Sequence, residues 1–218
     1  MPLYSLSGRE PGGLVIVGTG QTADVLQHYI FEEYGEGFPV VNTVTDNFLG
    51  QSQPSNARTV IPISDCYSEF PSFGWMIAIS YQNRSTSRGK VLDQVAARSV
   101  EICSYWHPNS HVWTEDVLRP NQLFLENVVV QFGSSVGANT FLWSGSHVGH
   151  HTKIGNDSFI ASGAVVSGSV TIGDNAFLGV NSFVADGVSA GRFLFVGAGA
   201  GLVADCGDFG LAVPGKAL

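Results

Sequence analysis

Cysteine is scarce in this chain. Cys66, Cys103 and Cys206 lie far apart along 218 residues and form no CxxC pair. Neither a disulfide frame nor a cysteine zinc site is expected; buried, reduced thiols in a cytoplasmic protein are. Charge is scarce too. Charged residues make up 13% against 44% hydrophobic, the opposite of a disordered composition. Ten basic residues face 18 acidic ones, a net charge of −8. A protein that tracks nucleic-acid phosphates shows the reverse balance, so no nucleic-acid partner is expected. No apolar run approaches the roughly 18 residues that span a bilayer. Residues 1–13 place no basic stretch ahead of an apolar one, so a signal peptide is not expected either.

Proline is nearly absent from one region. Residues 112–207 contain one, Pro120, and three basic residues, Arg119, Lys153 and Arg192, yet they hold 15 of the 27 glycines. Residues 1–111 hold seven of the nine prolines and the helix-like patterns. Two architectures are joined end to end, and the length suits two modest domains, residues 1–111 and 112–218.

The second region repeats. Stepping by six from Val112 to Leu202 meets 16 apolar residues in succession, all but Ala190 larger than alanine. The next position is small at Gly137 and from Gly149 to Gly197, and the fifth is often small, as at Ser134, Thr140, Ser146 and Thr152. Helices repeat every three to four residues and half-buried strands every two. A strict period of six fits a parallel β-solenoid of hexapeptides stacked at about 4.8 Å. The apolar residue plugs the coil interior, and the small neighbour is expected to let the backbone turn the corner.

The first region opens on Leu14-Val15-Ile16-Val17, a buried-strand signal, followed by Gly18-Thr19-Gly20-Gln21-Thr22-Ala23 and then Val25, Leu26, Tyr29 and Ile30 at helical spacing. Strand, glycine turn and helix form the context of a GxGxxA phosphate-binding turn. Further strands are expected over residues 38–44 and 75–79, and a helix around Val91, Leu92, Val95 and Ala96. Together they make a small Rossmann-like α/β unit.

A Rossmann-like unit followed by hexapeptides resembles the hexapeptide-repeat acyltransferases, in particular the subfamily that acetylates nucleotide-linked amino-sugars for bacterial surface glycans and its sialic-acid O-acetyltransferase relatives. The resemblance implies a left-handed parallel β-helix with three hexapeptides per coil, acetyl-CoA as co-substrate, no metal, and a cytoplasmic homotrimer with sites between adjacent β-helices. Outward Trp113, Trp143, Phe159, Phe177 and Phe183 suit packing between subunits or against loops. The nucleotide-sugar would lie on Gly18, Gly20, Gln21 and Thr22, with Asp46 and Asn47 matching an acidic pair after the second strand. The family turn commonly reads Gly-x-x-Gly-His-Gly, whereas here its last three positions are Gln21-Thr22-Ala23.

Attack of an amine on a thioester needs a base, an oxyanion donor and a platform that holds both substrates. In Val148-Gly149-His150-His151-Thr152-Lys153 the third place, a corner, carries His150. The resemblance makes it the catalytic base, imidazole being suited to proton transfer near neutral pH. His151 stands where relatives often carry an acid that polarises the base. A backbone carbonyl, Asp157 or a neighbouring subunit could orient His150 instead. One coil on, the amide of Gly168 would hold the acetyl carbonyl. Gly197 and Ala198, in Val196-Gly-Ala-Gly-Ala-Gly-Leu202, suit a pantetheine arm, and Lys216 in Val213-Pro214-Gly215-Lys216 could pair a CoA phosphate.

Two other function classes are compatible with the residues. His147, His150 and His151 could form a zinc site, although no fourth ligand stands out. The altered glycine turn and the missing acid could also mark a nucleotide-sugar sensor without turnover. Within the enzyme class, N- and O-acetylation both stay open, with the missing acid leaning towards an amine acceptor.

Overall fold

The computed structural model describes residues 3–5, 7–8, 10–45, 60–81, 83–113 and 118–214. The first part is a four-stranded parallel sheet of β2 (Leu14–Val17), β3 (Val40–Val44), β4 (Val60–Pro62) and β5 (Gly74–Ile77), in the order β4-β3-β2-β5. β2 and β5 read as unbroken apolar runs because both faces are covered. One face packs with α1 (Gln21–Tyr34), through Ala23, Leu26 and Ile30, against the repeat region. The other packs Val15, Val17, Trp75 and Ile77 against α2 (Ile63–Glu69) and α3 (Thr86–Ala96). β4 and α2 gave no pattern in the sequence.

The second part is a three-faced parallel β-helix. Its two-residue strands pair with the strand eighteen residues on, as His147 does with Val165 and Val148 with Val166. The first residue of every hexapeptide from Phe124 to Leu202 is buried and lines one continuous core. Burial of each such Val, Ile or Leu side chain contributes about 1.5–3 kcal/mol. The coil register already exists at β6 (Cys103–Trp106), where Trp106 pairs with Phe124. The expected division after residue 111 thus falls inside continuous coil pairing. β1 (Leu3–Ser5) runs antiparallel along β6 and covers that end of the sheet.

Two expectations about the repeat change. First, the residue that turns the corner is the fourth of each hexapeptide, not the second. Positive φ recurs at Asn121, Asn127, Gly133, Asn139, Gly145, His151 and Asp157 and onward in steps of six to Gly199. Asn, Asp and Gly dominate because they tolerate the left-handed conformation. The second position is small because the next coil lies on it: a Cβ at Gly149 would sit 2.5 Å from the carbonyl carbon of Ser167. Second, the period does not hold to residue 207. Ala190 bridges to Cys206 and Val196 pairs with Ala212, so the last coil is two residues short. There the Asp205 carboxylate accepts from the Ser189 N–H at 2.8 Å.

Buried hydroxyls at the fifth place join successive coils. Thr152 Oγ1 donates to the Ser167 carbonyl at 2.8 Å and accepts from the Val170 N–H at 3.2 Å.

A column of fourth-place residues locks the two parts together. The Asn121 side chain accepts from the Ile77 N–H at 2.8 Å and donates to the Ile77 carbonyl at 3.1 Å, pairing with the end of β5 as a strand would. Asn121 also donates to Asn139 at 2.5 Å, and Asn139 to Asp157 at 2.6 Å. Arg88 of α3 reaches in, fully buried, and donates to Asn139 Oδ1 and to the carbonyls of Asn139, Ser158 and Ile79. Its guanidinium lies 4.1 Å from the centre of the Phe141 ring. Burial lowers its pKa to about 10, against the pull of Asp157, so it stays charged at neutral pH.

Candidate active site

Each coil has three corners. Residues 149–152 form the one between β12 (His147–Val148) and β13 (Lys153–Ile154). His150 occupies its tip and is exposed. Its N–H donates to Gln131 Oε1 at 2.9 Å, and its carbonyl accepts from the Ser169 N–H at 2.8 Å. Both backbone groups are thereby fixed by the coils on either side. His151 takes the left-handed place at φ 55°. Its ring lies over Gly133, edge-on to Phe132 with centroids 5.9 Å apart. This turns its Nδ1 to within 3.2 Å of the His150 Nδ1. The group beside His150 is therefore His151. Asp157 belongs to the next corner, where it accepts from Asn139. Burial raises the Asp157 pKa, with the Asn139 hydrogen bond and Arg88 opposing.

One coil on, Gly168 is buried. A Cβ there would lie 2.4 Å from His150 Cε1 and 2.6 Å from Nε2, so the imidazole edge occupies the space a side chain would take. Among the described residues the Gly168 N–H has no hydrogen-bond partner. The corner after β13 shows the alternative. There the equivalent N–H groups of Ala138, Asn156 and Arg192 are capped by Asn156, Asp174 and Asp208 at 2.9, 2.7 and 2.8 Å. An uncapped amide beside an imidazole nitrogen is a pairing of oxyanion donor and proton acceptor.

The structure thus brings His150, His151 and Gly168 together. Gly197 and Ala198 lie on a different corner, where Gly197 faces Pro214 and the Ala212 carbonyl. His147 sits on the strand before the corner, and among the described residues no three His, Cys, Asp or Glu side chains converge as a metal-ligand set. Phe159 and Phe177 stack with Phe195 on the face shared with the α/β unit, and Tyr81 lies 4.4 Å from Phe177. Phe183 stands 44% exposed on another face.

The glycine turn has the expected form. Gly18 has φ 140°, and a Cβ there would lie 2.7 Å from the Ala78 carbonyl oxygen, so its lack of a side chain is structural. Gly20 faces open space and caps α1. Beyond it the N–H groups of exposed Gln21 and buried Thr22 have no partner among the described residues. Such a helix start favours an anion. Asp46, Asn47 and Lys216 lie outside the described residues. Sequence reasoning missed the Arg88–Asn139 lock, whose signal is the run of Asn and Asp at fourth places.

Residues 133–168 match the family model for the bacterial transferase hexapeptide (six repeats), and residues 169–204 that for the hexapeptide repeat of succinyl-transferase. No curated protein matches the sequence. Solved structures do match. A variant of perosamine N-acetyltransferase from Caulobacter crescentus, in complex with CoA and GDP-perosamine, is 22% identical with a TM-score of 0.81, over 93% of this chain and 94% of that one. The acetyltransferase domain of PglB from Neisseria gonorrhoeae, in complex with acetyl coenzyme A, is 21% identical with a TM-score of 0.80, over 94% and 97%. WeeI from Acinetobacter baumannii is 17% identical with a TM-score of 0.74, over 93% and 96%. Residues 133–204 thus match two models of hexapeptide-repeat transferases, and the chain as a whole shares the two-part fold of these solved structures.

Proposed function

We propose that this protein transfers the acetyl group of acetyl-CoA to the amine of a nucleotide-linked amino-sugar, with His150 as general base. The observation that carries the reading is the Gly168 amide, left without a partner, beside the imidazole edge of His150. In this reading His150 Nδ1–H donates to His151 Nδ1, which leaves the lone pair on Nε2, the nitrogen beside Gly168. Nε2 takes a proton from the amine as nitrogen attacks the thioester carbonyl. The Gly168 N–H receives the oxyanion, and the proton on Nε2 passes to the departing thiolate.

The α/β unit is read as Rossmann-like and the β-helix as left-handed, as in the family. Gly18, Gly20, Gln21 and Thr22 would hold the nucleotide phosphates, with Asp46 and Asn47 nearby. Gly197, Ala198 and Lys216 would meet CoA. Because Gly197 and Ala198 occupy another corner, a neighbouring copy must present them to His150. A homotrimer does so. Its natural contact is the strand face beside the His150 corner, which carries outward Val165 and Phe183, 40% and 44% exposed. We place the reaction in the cytoplasm, where nucleotide-sugars are made; no helix among the described residues is long and apolar enough to cross a membrane.

The test is thiol release from acetyl-CoA with GDP-perosamine and with UDP- and dTDP-linked 4-amino-sugars. Release by the wild-type protein, lost in His150→Ala, is expected. No release with any acceptor sinks the reading, and equal rates in both proteins remove His150 from it.

A further inference from the structure

We infer that Asp186 is the specificity-determining residue that selects an amine over a hydroxyl acceptor. This rests on the acetyltransferase reading above and concerns the same site.

Asp186 lies one coil beyond Gly168 and two beyond His150, in the same corner column. A Cβ at 168 would lie 3.0 Å from Asp186 Oδ1 and 2.6 Å from His150 Nε2. Carboxylate and imidazole therefore reach from opposite sides towards the gap that Gly168 leaves. At the next corner, third-place Asn156, Asp174 and Asp208 each cap the N–H one coil below. Asp186 has that place and does not do so. It is exposed, and among the described residues it makes no hydrogen bond and no ion pair. The usual structural use of an acid at this place is thus unfilled, and the carboxylate is aimed at the space beside the open amide.

The chemistry of the acceptor supplies a use. A sugar amine arrives largely as an ammonium ion, and a carboxylate attracts it. The ammonium first releases one proton to solvent, which frees the lone pair. As the nitrogen bonds to the acetyl carbon, a second proton passes to His150 Nε2 and the carbonyl π electrons move to the oxygen held by the Gly168 N–H. Through this step another N–H stays on Asp186, whose negative charge offsets the positive charge developing on nitrogen. Collapse re-forms the carbonyl, breaks the C–S bond, and returns the proton from His150 to the thiolate. An alcohol has one proton, which His150 must take. Nothing then remains for Asp186, and a carboxylate beside a developing alkoxide is repulsive.

The test compares wild-type protein with Asp186→Asn, Asp186→Ser and Asp186→Glu. GDP-perosamine is the substrate, and GDP-rhamnose, which carries a hydroxyl in place of the amine, is a competitive inhibitor. We expect kcat/KM for the amine to fall about 10- to 100-fold in the Asn and Ser variants, the scale of one charged hydrogen bond, with partial recovery in Glu. The inhibition constant of GDP-rhamnose and the affinity for CoA should stay within about twofold of wild type. An active wild-type enzyme whose Asn and Ser variants keep the amine kinetics overturns the inference alone. So does a parallel loss of GDP-rhamnose or CoA binding, which would make Asp186 a structural residue. A wild-type protein inactive on every amine overturns this inference and the acetyltransferase reading together.

Discussion

Gly168 lies against the edge of His150 so closely that a methyl group on its Cα would sit 2.4 Å from Cε1 of the imidazole. Gly168→Ala should therefore displace the ring and block the amide. Loss of one oxyanion donor costs about 10²–10³-fold in kcat, so a loss of at least 100-fold in thiol release is expected. The melting temperature should hardly move, because His150 is exposed and its ring can swing into solvent.

His151 separates geometry from chemistry. At φ 55° it holds a conformation that glycine or asparagine adopts at lower cost. His151→Gly should leave stability unchanged or raise it by about 0.5 kcal/mol, while kcat falls about 10-fold or more as the base loses its orienting partner. His151→Asn, which retains an acceptor oxygen, should fall less. Denaturant melts and steady-state rates on the same preparations check both. A variant equally active without any acceptor at 151 would show that His150 needs no such partner.

Arg88 holds the two parts of the chain together. Removing it strips donors from Asn139 Oδ1, from the buried carbonyls of Asn139 and Ser158, and from the part-buried carbonyl of Ile79. Arg88→Met should cost about 3 kcal/mol or more, read as a lower urea midpoint. Arg88→Lys should rescue little, because a single ammonium cannot serve four separated acceptors in the Arg geometry.

A pH dependence arises where α1 meets the coil. Tyr29 Oη donates to Glu126 Oε2 at 2.5 Å. Burial alone would raise the Glu126 pKa, but hydrogen bonds from Tyr29 and Ser144 outweigh it and hold the carboxyl below its ordinary range. Burial and the same bond push Tyr29 up to about 12. A lowered carboxyl stabilises the fold above its unfolded pKa, and that contribution disappears as pH falls through the folded value. A raised phenol contributes fully below its unfolded pKa near 10, and the contribution disappears as pH climbs towards about 12. Both groups are only part-buried, so the effect is modest. Urea midpoints between pH 3 and 7 should slope less in Glu126→Gln than in wild type, and those between pH 9 and 12 should flatten in Tyr29→Phe.

The β-helix was legible in the sequence because its rule is local and repeated. An interior residue every sixth place is a one-dimensional pattern, and fourteen of them, from Phe124 to Leu202, form the observed core. The glycine turn was legible for the same reason: strand, Gly18, Gly20 and helix adjoin one another in the chain. The stacking of His150 below Gly168 needed, beyond the period, the three hexapeptides per coil that the family resemblance implies. Residues whose role depends on direction were not legible. Asn121 and Asn139 meet the same local demand for left-handed backbone as Asn127, yet only folding shows that their corner faces β5 and α3 and takes in Arg88. Asp186 reads as one more corner acid until its carboxylate is seen turned away from the structural use its neighbours share. Spacing along a chain determines which residues stack. Which of them leave a donor open, and what faces that donor across a corner, depends on side-chain directions and on a second element arriving from far along the chain, and only tertiary structure decides that.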